Sequence, residues 1–257
     1  MINSVGLATL ASREMKRTIK IINQVVWPPV ISTVLYFFIF VIGLGRSIGT
    51  MDGLPYVQFL VPGLIFLNVV EASFGEGAAS LFILRFTNAI QELLVAPLSY
   101  AEMVIGMIAG SVLRALLIGN LILLVGWAFG GRLPATAQAW GWYLLLLMVT
   151  AILFSSLGLI AAVFFESWDQ LAIPSTFVLT PLIFVGGVFA SVRGLPEPVS
   201  QVALFNPLFY LIDGMRAAIT GAPTPYWHVD LAFAGTGAAV AFAGALRLFQ
   251  TGYKLRP

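Results

Sequence analysis

Three charged side chains fall inside apolar runs of membrane length: Glu71, Glu76 and Arg114. A charge in hydrocarbon is costly, and it persists where it pairs with another group or lines a polar path. Glu71 and Glu76 are five residues apart, roughly 140° around a helix of 3.6 residues per turn, so they do not share a face. Arg114 lies roughly 16 Å into its run at 1.5 Å per residue, a depth that only loosely matches Glu71 as an ion-pair partner. One reading makes these residues a substrate path. The plainer one lets Glu76 snorkel to the surface while Glu71 pairs with a neighbouring helix. The plainer reading is preferred for Glu76, and Glu71 stays open between the two.

Other chemistry is poorly supplied. There is no cysteine, which excludes disulfides and thiolate metal sites. The single histidine, His228, excludes a His-x-x-x-His zinc motif, and no metal site is expected. No Gly-Lys dipeptide occurs, so the phosphate-binding loop is absent and the chain should not hydrolyse ATP itself. The pattern G-x-S-x-G is absent too, and Ser155 and Ser156 read as helix-packing residues. Nothing calls for a cofactor or a nucleic-acid partner.

A different kind of candidate is the segment RFTNAIQELLVAPL at 85–98. It is short and amphipathic, with charge at Arg85 and Glu92, and Pro97 closes it. Apolar runs of membrane length flank it. Such a segment suits a cytoplasmic surface on which another protein pushes: Leu93 and Leu94 dock by apolar contact while Arg85 and Glu92 set orientation.

These residues need a scaffold, and composition says which. Hydrophobic residues make up 60% of the chain and charged ones 9%, with a mean hydropathy of +0.98. Soluble proteins carry about 25% charged residues, so lipid must be the solvent here. Charge-free runs mark six spans, at about 21–45, 53–79, 103–130, 142–165, 170–192 and 231–246, the last extended by flanking residues. The stretch LPATAQAW before the fourth reads as a loop. Pro28, Pro29, Pro62, Pro174 and Pro181 fall in or near spans, where neighbouring helices satisfy the freed carbonyls. Trp27, Trp140, Trp142 and Trp227 fall at span ends, as interfacial tryptophans do.

Six spans put both termini on one side. Arg13, Lys16, Arg17, Lys20, Arg85, Arg247, Lys254 and Arg256 share that side, against Arg46, Arg132, Arg193 and Arg216 on the other. The excess places both termini in the cytoplasm. Residues 1–22 show no signal-peptide pattern and read as a basic amphipathic helix lying in the headgroup layer. The loop at 193–228 mixes turn formers, Pro225 among them, with apolar stretches. It is expected to form short helices dipping to the outer surface, with Asp213 and Arg216 on one helical face as an exposed pair. The fold class is therefore all-α and integral to the membrane, with 1–257 as one domain. Its parts are 1–22, spans 1–2 at 23–84, the amphipathic segment at 85–98, spans 3–5 at 99–192, the external segment at 193–228, and span 6 with the tail at 229–257.

Four stretches together carry a resemblance: WPPVISTVLYFFIF at 27–40, QELLVAPLSYAEMVIG at 91–106, IPSTFVLTPLIFVGGVFASV at 173–192 and NPLFYLIDGMRAAITG at 206–221. In this order and spacing the sequence resembles the ABC-2 type permeases of bacterial ABC transporters, above all the short ones encoded apart from their ATPase. The resemblance implies six transmembrane helices, an N-terminal interface helix and a coupling helix between spans two and three. It implies a bacterial inner-membrane subunit that pairs with a second copy and with cytosolic ATPase subunits, which bind the ATP and magnesium. Export of a drug-, lipid- or glycan-like cargo is the family's usual task. On that reading Arg85, Gln91, Glu92, Leu93, Leu94 and Pro97 couple to the ATPase, and Glu166 and Asp169 form a second ATPase-facing position. Asn206, Pro207, Tyr210, Asp213 and Arg216 match the family's external segment. The path would run between subunits, lined by spans two and five with their small residues Gly63, Gly75, Gly77, Ala78, Gly186 and Gly187. A secondary transporter is the rival, but no internal repeat is visible. A lipid-modifying membrane enzyme is a weaker rival, lacking clustered acids or histidines.

Overall fold

The computed structural model describes residues 3–194, 196–224 and 226–254. Pro225 and Arg256, used above, lie outside the described residues, as does the side chain of Arg46. The chain folds as helices: α1 (Ser4–Lys20), α2 (Ile22–Gly43), α3 (Tyr56–Phe86), α4 (Ile90–Val95), α5 (Tyr100–Ala128), α6 (Ala137–Phe164), α7 (Trp168–Val185), α8 (Val199–Leu204), α9 (Pro207–Thr220) and α10 (Trp227–Thr251). Six of them, α2, α3, α5, α6, α7 and α10, are long and apolar enough to cross a membrane.

Local chemistry sets the boundaries. Asn3, Ser99, Thr136, Ser167 and Asn206 cap α1, α5, α6, α7 and α9, each accepting a hydrogen bond from a main-chain N–H of the first turn. At α5 the cap is a full capping box, with Glu102 reaching back to the Ser99 N–H. Thr136 corrects the second half of the expected loop before the fourth span, because its cap starts the helix at Ala137 and draws in residues 137–140. Pro97 stops α4 by forcing Ala96 into the extended region. Gly221 and Gly252 end α9 and α10 in the left-handed conformation. The turn between α2 and α3 is a two-stranded hairpin, Thr50–Met51 with Leu54–Pro55, closed by Asp52 and Gly53 at positive φ.

The centre of the bundle is α3, which is apolar over most of its surface and packs on α6, α5 and α9. Its most apolar stretch is 78% buried, whereas those of α2 and α7 are each only 17% buried, so these two helices carry the bare apolar faces. Close approach of α3 and α6 uses glycines: a Cβ on Gly77 would meet the Ser155 main chain, and one on Gly158 would meet that of Phe74. Gly63 meets Val188 in the same way, at 2.9 Å from its Cα. Gly63, Gly77, Ala78, Gly186 and Gly187 are thus buried within the chain. Of the small residues expected along a path between subunits, only Gly75 faces open space.

The N-terminal helix packs on the bundle along one face. Leu10, Glu14 and Thr18, at helical spacing, form a buried face of α1. That face packs on α5, where a Cβ on Gly106 would lie 2.6 Å from Leu10 Cδ2 and one on Gly110 would lie 3.1 Å from Glu14 Cβ. The Gly-x-x-x-Gly spacing opens a groove for it. Contacts step from Asn3 at Glu102 to Leu10 at Gly106 and Glu14 at Gly110, so α1 runs beside α5 in the same direction.

Candidate functional site

One end of the bundle gathers the chain's junctions. The six-residue α4 sits here, with Ile90 and Leu93 turned inward and buried and Leu94 half-buried. Gln91, Glu92 and Pro97 are exposed, as are two apolar neighbours, Val95 at 85% and Phe86 at 76%. Both lie bare beside the acid Glu92 at the helix–loop junction. Asn3 donates from its side chain to the Pro97 carbonyl at 3.0 Å and from its main chain to Glu102, tying the start of α1 to the exit of α4.

Arg85 is not part of that exposed face. Its guanidinium donates to the carbonyls of Ala162, Val163 and Phe165, capping the C-terminus of α6. Those acceptors at the end of α6 hold its half-buried side chain. Beside it, Phe82 meets Trp168 with ring centroids 4.5 Å apart, joining the end of α3 to the start of α7. Glu166 and Asp169 are exposed next to Trp168, and Glu166 lies 3.6 Å from Lys254 after α10.

Behind this end lies a buried charge cluster that corrects the reading of Glu76. Glu76 does not snorkel. It is 2% exposed and holds two arginines, Arg17 at 2.7 Å and Arg114 at 2.5 Å. Thr18 also donates to it at 3.3 Å. Arg17 bridges on to Glu14 at 3.0 Å, and Glu14 accepts further from Ser80 at 2.9 Å and Arg13 at 2.8 Å. The carboxylates of α1 and α3 therefore share one arginine, and α5 supplies another. Arg114 pairs with Glu76 and not with Glu71, which stays exposed on α3 beside the turn that holds Gly75.

Glu14, Arg17, Thr18 and Ser80 escaped the sequence reading. A signal existed: Glu14 is the one acid among four basic residues at 13–20, spaced four from Leu10 and from Thr18. An acid kept on the apolar face of a basic helix expects a buried arginine.

At the opposite end, α9 is inserted into the bundle against α3, α6 and α10 rather than lying on a surface. Pro207 opens it, and the Asn206 side chain donates to the Leu182 carbonyl on α7. The Tyr210 hydroxyl donates to the Leu204 carbonyl, and its ring stacks on Phe233 at 4.9 Å. Asp213 and Arg216 do pair, but at 3.8 Å, and the pair is not exposed. Arg216 donates to the carbonyls of Gly187 at 2.8 Å and Phe59 at 3.3 Å, with its guanidinium 3.8 Å from the centre of the Phe59 ring. Burial pushes its pKa down to about 10, with Asp213 pulling the other way, so it remains charged at neutral pH. Arg216 is thus a pin that fixes α9 to α3 and to the segment after α7.

Taken together, a bundle of six membrane-length helices with a short helix between the second and third defines a polytopic all-α membrane protein. The chain belongs to the ABC-2 type transporter family, whose sequence profile matches residues 6–220. It is 38% identical over 217 residues to the inner membrane transport permease YadH of Escherichia coli strain K12, covering 84% of each chain. It is 29% identical over 196 residues to nodulation protein J of Rhizobium leguminosarum bv. viciae, covering 74% of this chain and 73% of that one. Nodulation protein J of Rhizobium meliloti strain 1021 is 28% identical over 203 residues, with 77% and 74% covered. The chain is a transmembrane subunit of an ABC transporter.

Proposed function

We propose that the chain is the permease of a bacterial inner-membrane exporter and works as a homodimer driven by a separate cytosolic ATPase. The observation that carries this is α4: an exposed Gln91, Glu92 and Val95 on a six-residue helix braced from behind. ATP and magnesium are bound by the partner, since this chain lacks the phosphate loop. The end bearing α1, α4 and the tail faces the cytoplasm, in line with the excess of basic residues there. Glu92, Gln91, Val95 and Pro97 make the main contact, and Glu166 with Asp169 the lesser one. Leu93 anchors α4 from beneath.

Closure of two ATPases on ATP pushes α4. The push passes through Asn3 and Pro97 into α1 and through Arg85 into α6. The Glu14–Arg17–Glu76–Arg114 cluster then makes α1, α3 and α5 move as one body. Arg216 and the inserted α9 form the outward seal. Cargo passes between the two copies, along the open face of α3 that carries Glu71 and Gly75 and the thinly packed α7. The cargo is an amphiphile of the drug, lipid or glycan class.

Co-purification tests this. The full chain, solubilised gently from a cell that also expresses a candidate ATPase, should retain it and show ATP hydrolysis that the chain alone lacks. Hydrolysis by the chain alone, or failure to retain any ATPase, overturns the reading.

A further inference from the structure

A cavity of about 560 Å³ opens at the α9 end of the bundle, between the first turns of α6 and α10 and the small-residue flank of α9. Its wall includes Thr136, Gln138 and Trp142 from α6, Ala217 from α9, and Trp227 and Asp230 from α10. Asp230 is 1% exposed, and neither of its carboxylate oxygens has a hydrogen-bond partner. Gly214 makes room for it, since a Cβ there would lie 3.2 Å from Asp230 Cβ. None of the ion pairs among the described residues reaches Asp230. Arg216 is occupied by Asp213 and two carbonyls, and His228 is exposed with its ring tilted against that of Trp227, centroids 3.5 Å apart. A buried carboxylate with no donor is one of the costliest arrangements a fold can keep.

The rest of the cavity tells what would satisfy it. Trp142 and Trp227 are 37% and 48% exposed, so they line the wall and also reach the surface. Indole faces attract cations, and tryptophans sit at headgroup depth. The first turn of α6 brings main-chain N–H groups with no carbonyl ahead of them, which suits an anion. Leu146 and Leu231 continue the lining as apolar wall. The site therefore offers a carboxylate, aromatic faces, an anion-favouring helix end and an apolar exit.

We propose that this cavity binds a zwitterionic phosphoethanolamine headgroup of a membrane lipid, with the ammonium on Asp230, the phosphate at the first turn of α6 and the acyl chains leaving past Leu146 and Leu231. An ammonium brings three donors and a positive charge to the two unpaired oxygens. The site is separate from α4 and needs no ATPase, so its test stands apart from that of the transport role.

The full chain, delipidated in maltoside detergent, is examined by native mass spectrometry with phosphatidylethanolamine and phosphatidylglycerol of matched chains, and with free phosphoethanolamine. Wild type should retain phosphatidylethanolamine over phosphatidylglycerol by about tenfold or more, the scale of one charge-assisted hydrogen bond. Asp230→Asn keeps the shape and should bring the two lipids level. Ala217→Phe, which fills the cavity and leaves Asp230 in place, should lose both lipids from this site. Equal retention of the two lipids by wild type, or an undiminished preference in Asp230→Asn, overturns the proposal. Free phosphoethanolamine binding as tightly as the lipid overturns the lipid assignment. Matching thermal melts of the variants and wild type confirm that folded protein is being compared.

Discussion

Removing Glu76 should unlock α1 from the bundle. In Glu76→Ala, Arg114 loses its partner at 2.5 Å and Arg17 loses one of its two. Breaking a buried pair from one side costs about 3–5 kcal/mol, because the charge left behind is unpaired. The arginine side chains here are 20% and 27% exposed, so water recovers part of that, and the lower end, about 3 kcal/mol, is expected. Arg17 keeps Glu14, which also limits the loss. The assay is denaturant unfolding in mixed micelles, followed by tryptophan fluorescence, with protease cleavage within 4–20 as a local probe. Glu76→Ala should lower stability by the stated amount and expose α1 to cleavage. Glu76→Leu combined with Arg114→Leu should lose less than Glu76→Ala alone, because no unpaired charge from the α3–α5 pair remains. The reasoning is refuted if Glu76→Ala unfolds within about 0.5 kcal/mol of wild type, the range of an ordinary surface change. It is equally refuted if the double leucine variant is the less stable of the two.

Glu92→Arg should leave folding unchanged to within about 0.5 kcal/mol, since Glu92 is exposed, yet abolish stimulation of the partner's ATP hydrolysis in reconstituted vesicles. Exchanging the charges in Asp213→Arg with Arg216→Asp should fail to restore export. Arg216 is held chiefly by the carbonyls of Gly187 and Phe59, which a carboxylate would repel, so Arg216→Ala alone should cost about 2–3 kcal/mol in the same unfolding assay. Gly77→Ala should cost about 1–3 kcal/mol, because the added methyl meets the Ser155 main chain, whereas Gly75→Ala, inside a helix with open space around it, should cost nothing and stabilise by up to about 1 kcal/mol.

The spans were legible because hydropathy is a property of one segment at a time. Their ends were less so: α3 extends to Phe86, past the expected stop near Ala79, while α10, Trp227–Thr251, takes in the flanking residues expected around 231–246. The first goes on through Arg85, which the carbonyls at the end of α6 hold, and the second takes in the buried, unpartnered Asp230 as well as Arg247. Pairing between helices was not legible. Glu76 reads as a snorkelling acid until α1 is known to pass beside it, and Arg216 reads as a surface brace until α9 is seen inserted against Phe59. The i, i+3 spacing of Asp213 and Arg216 found a real neighbour but missed the stronger acceptors, which lie 157 and 29 residues away in sequence. Asp230 lay in a first helical turn, where acids are ordinary, and only the absence of any partner around it marks it out.

The central claim is that a separate ATPase docks on α4. Because the chain has no cysteine, a single Val95→Cys, at a position 85% exposed, carries a benzophenone crosslinker cleanly. Phe205→Cys at the opposite end and Val240→Cys on the apolar flank, 89% and 72% exposed, serve as controls. Photolysis in native membranes, followed by mass spectrometry of the adducts, should join Val95→Cys to a nucleotide-binding ATPase and leave both control positions free of it. An ATPase adduct at Phe205→Cys, or none at Val95→Cys when the protein is abundant and labelled, would contradict the account.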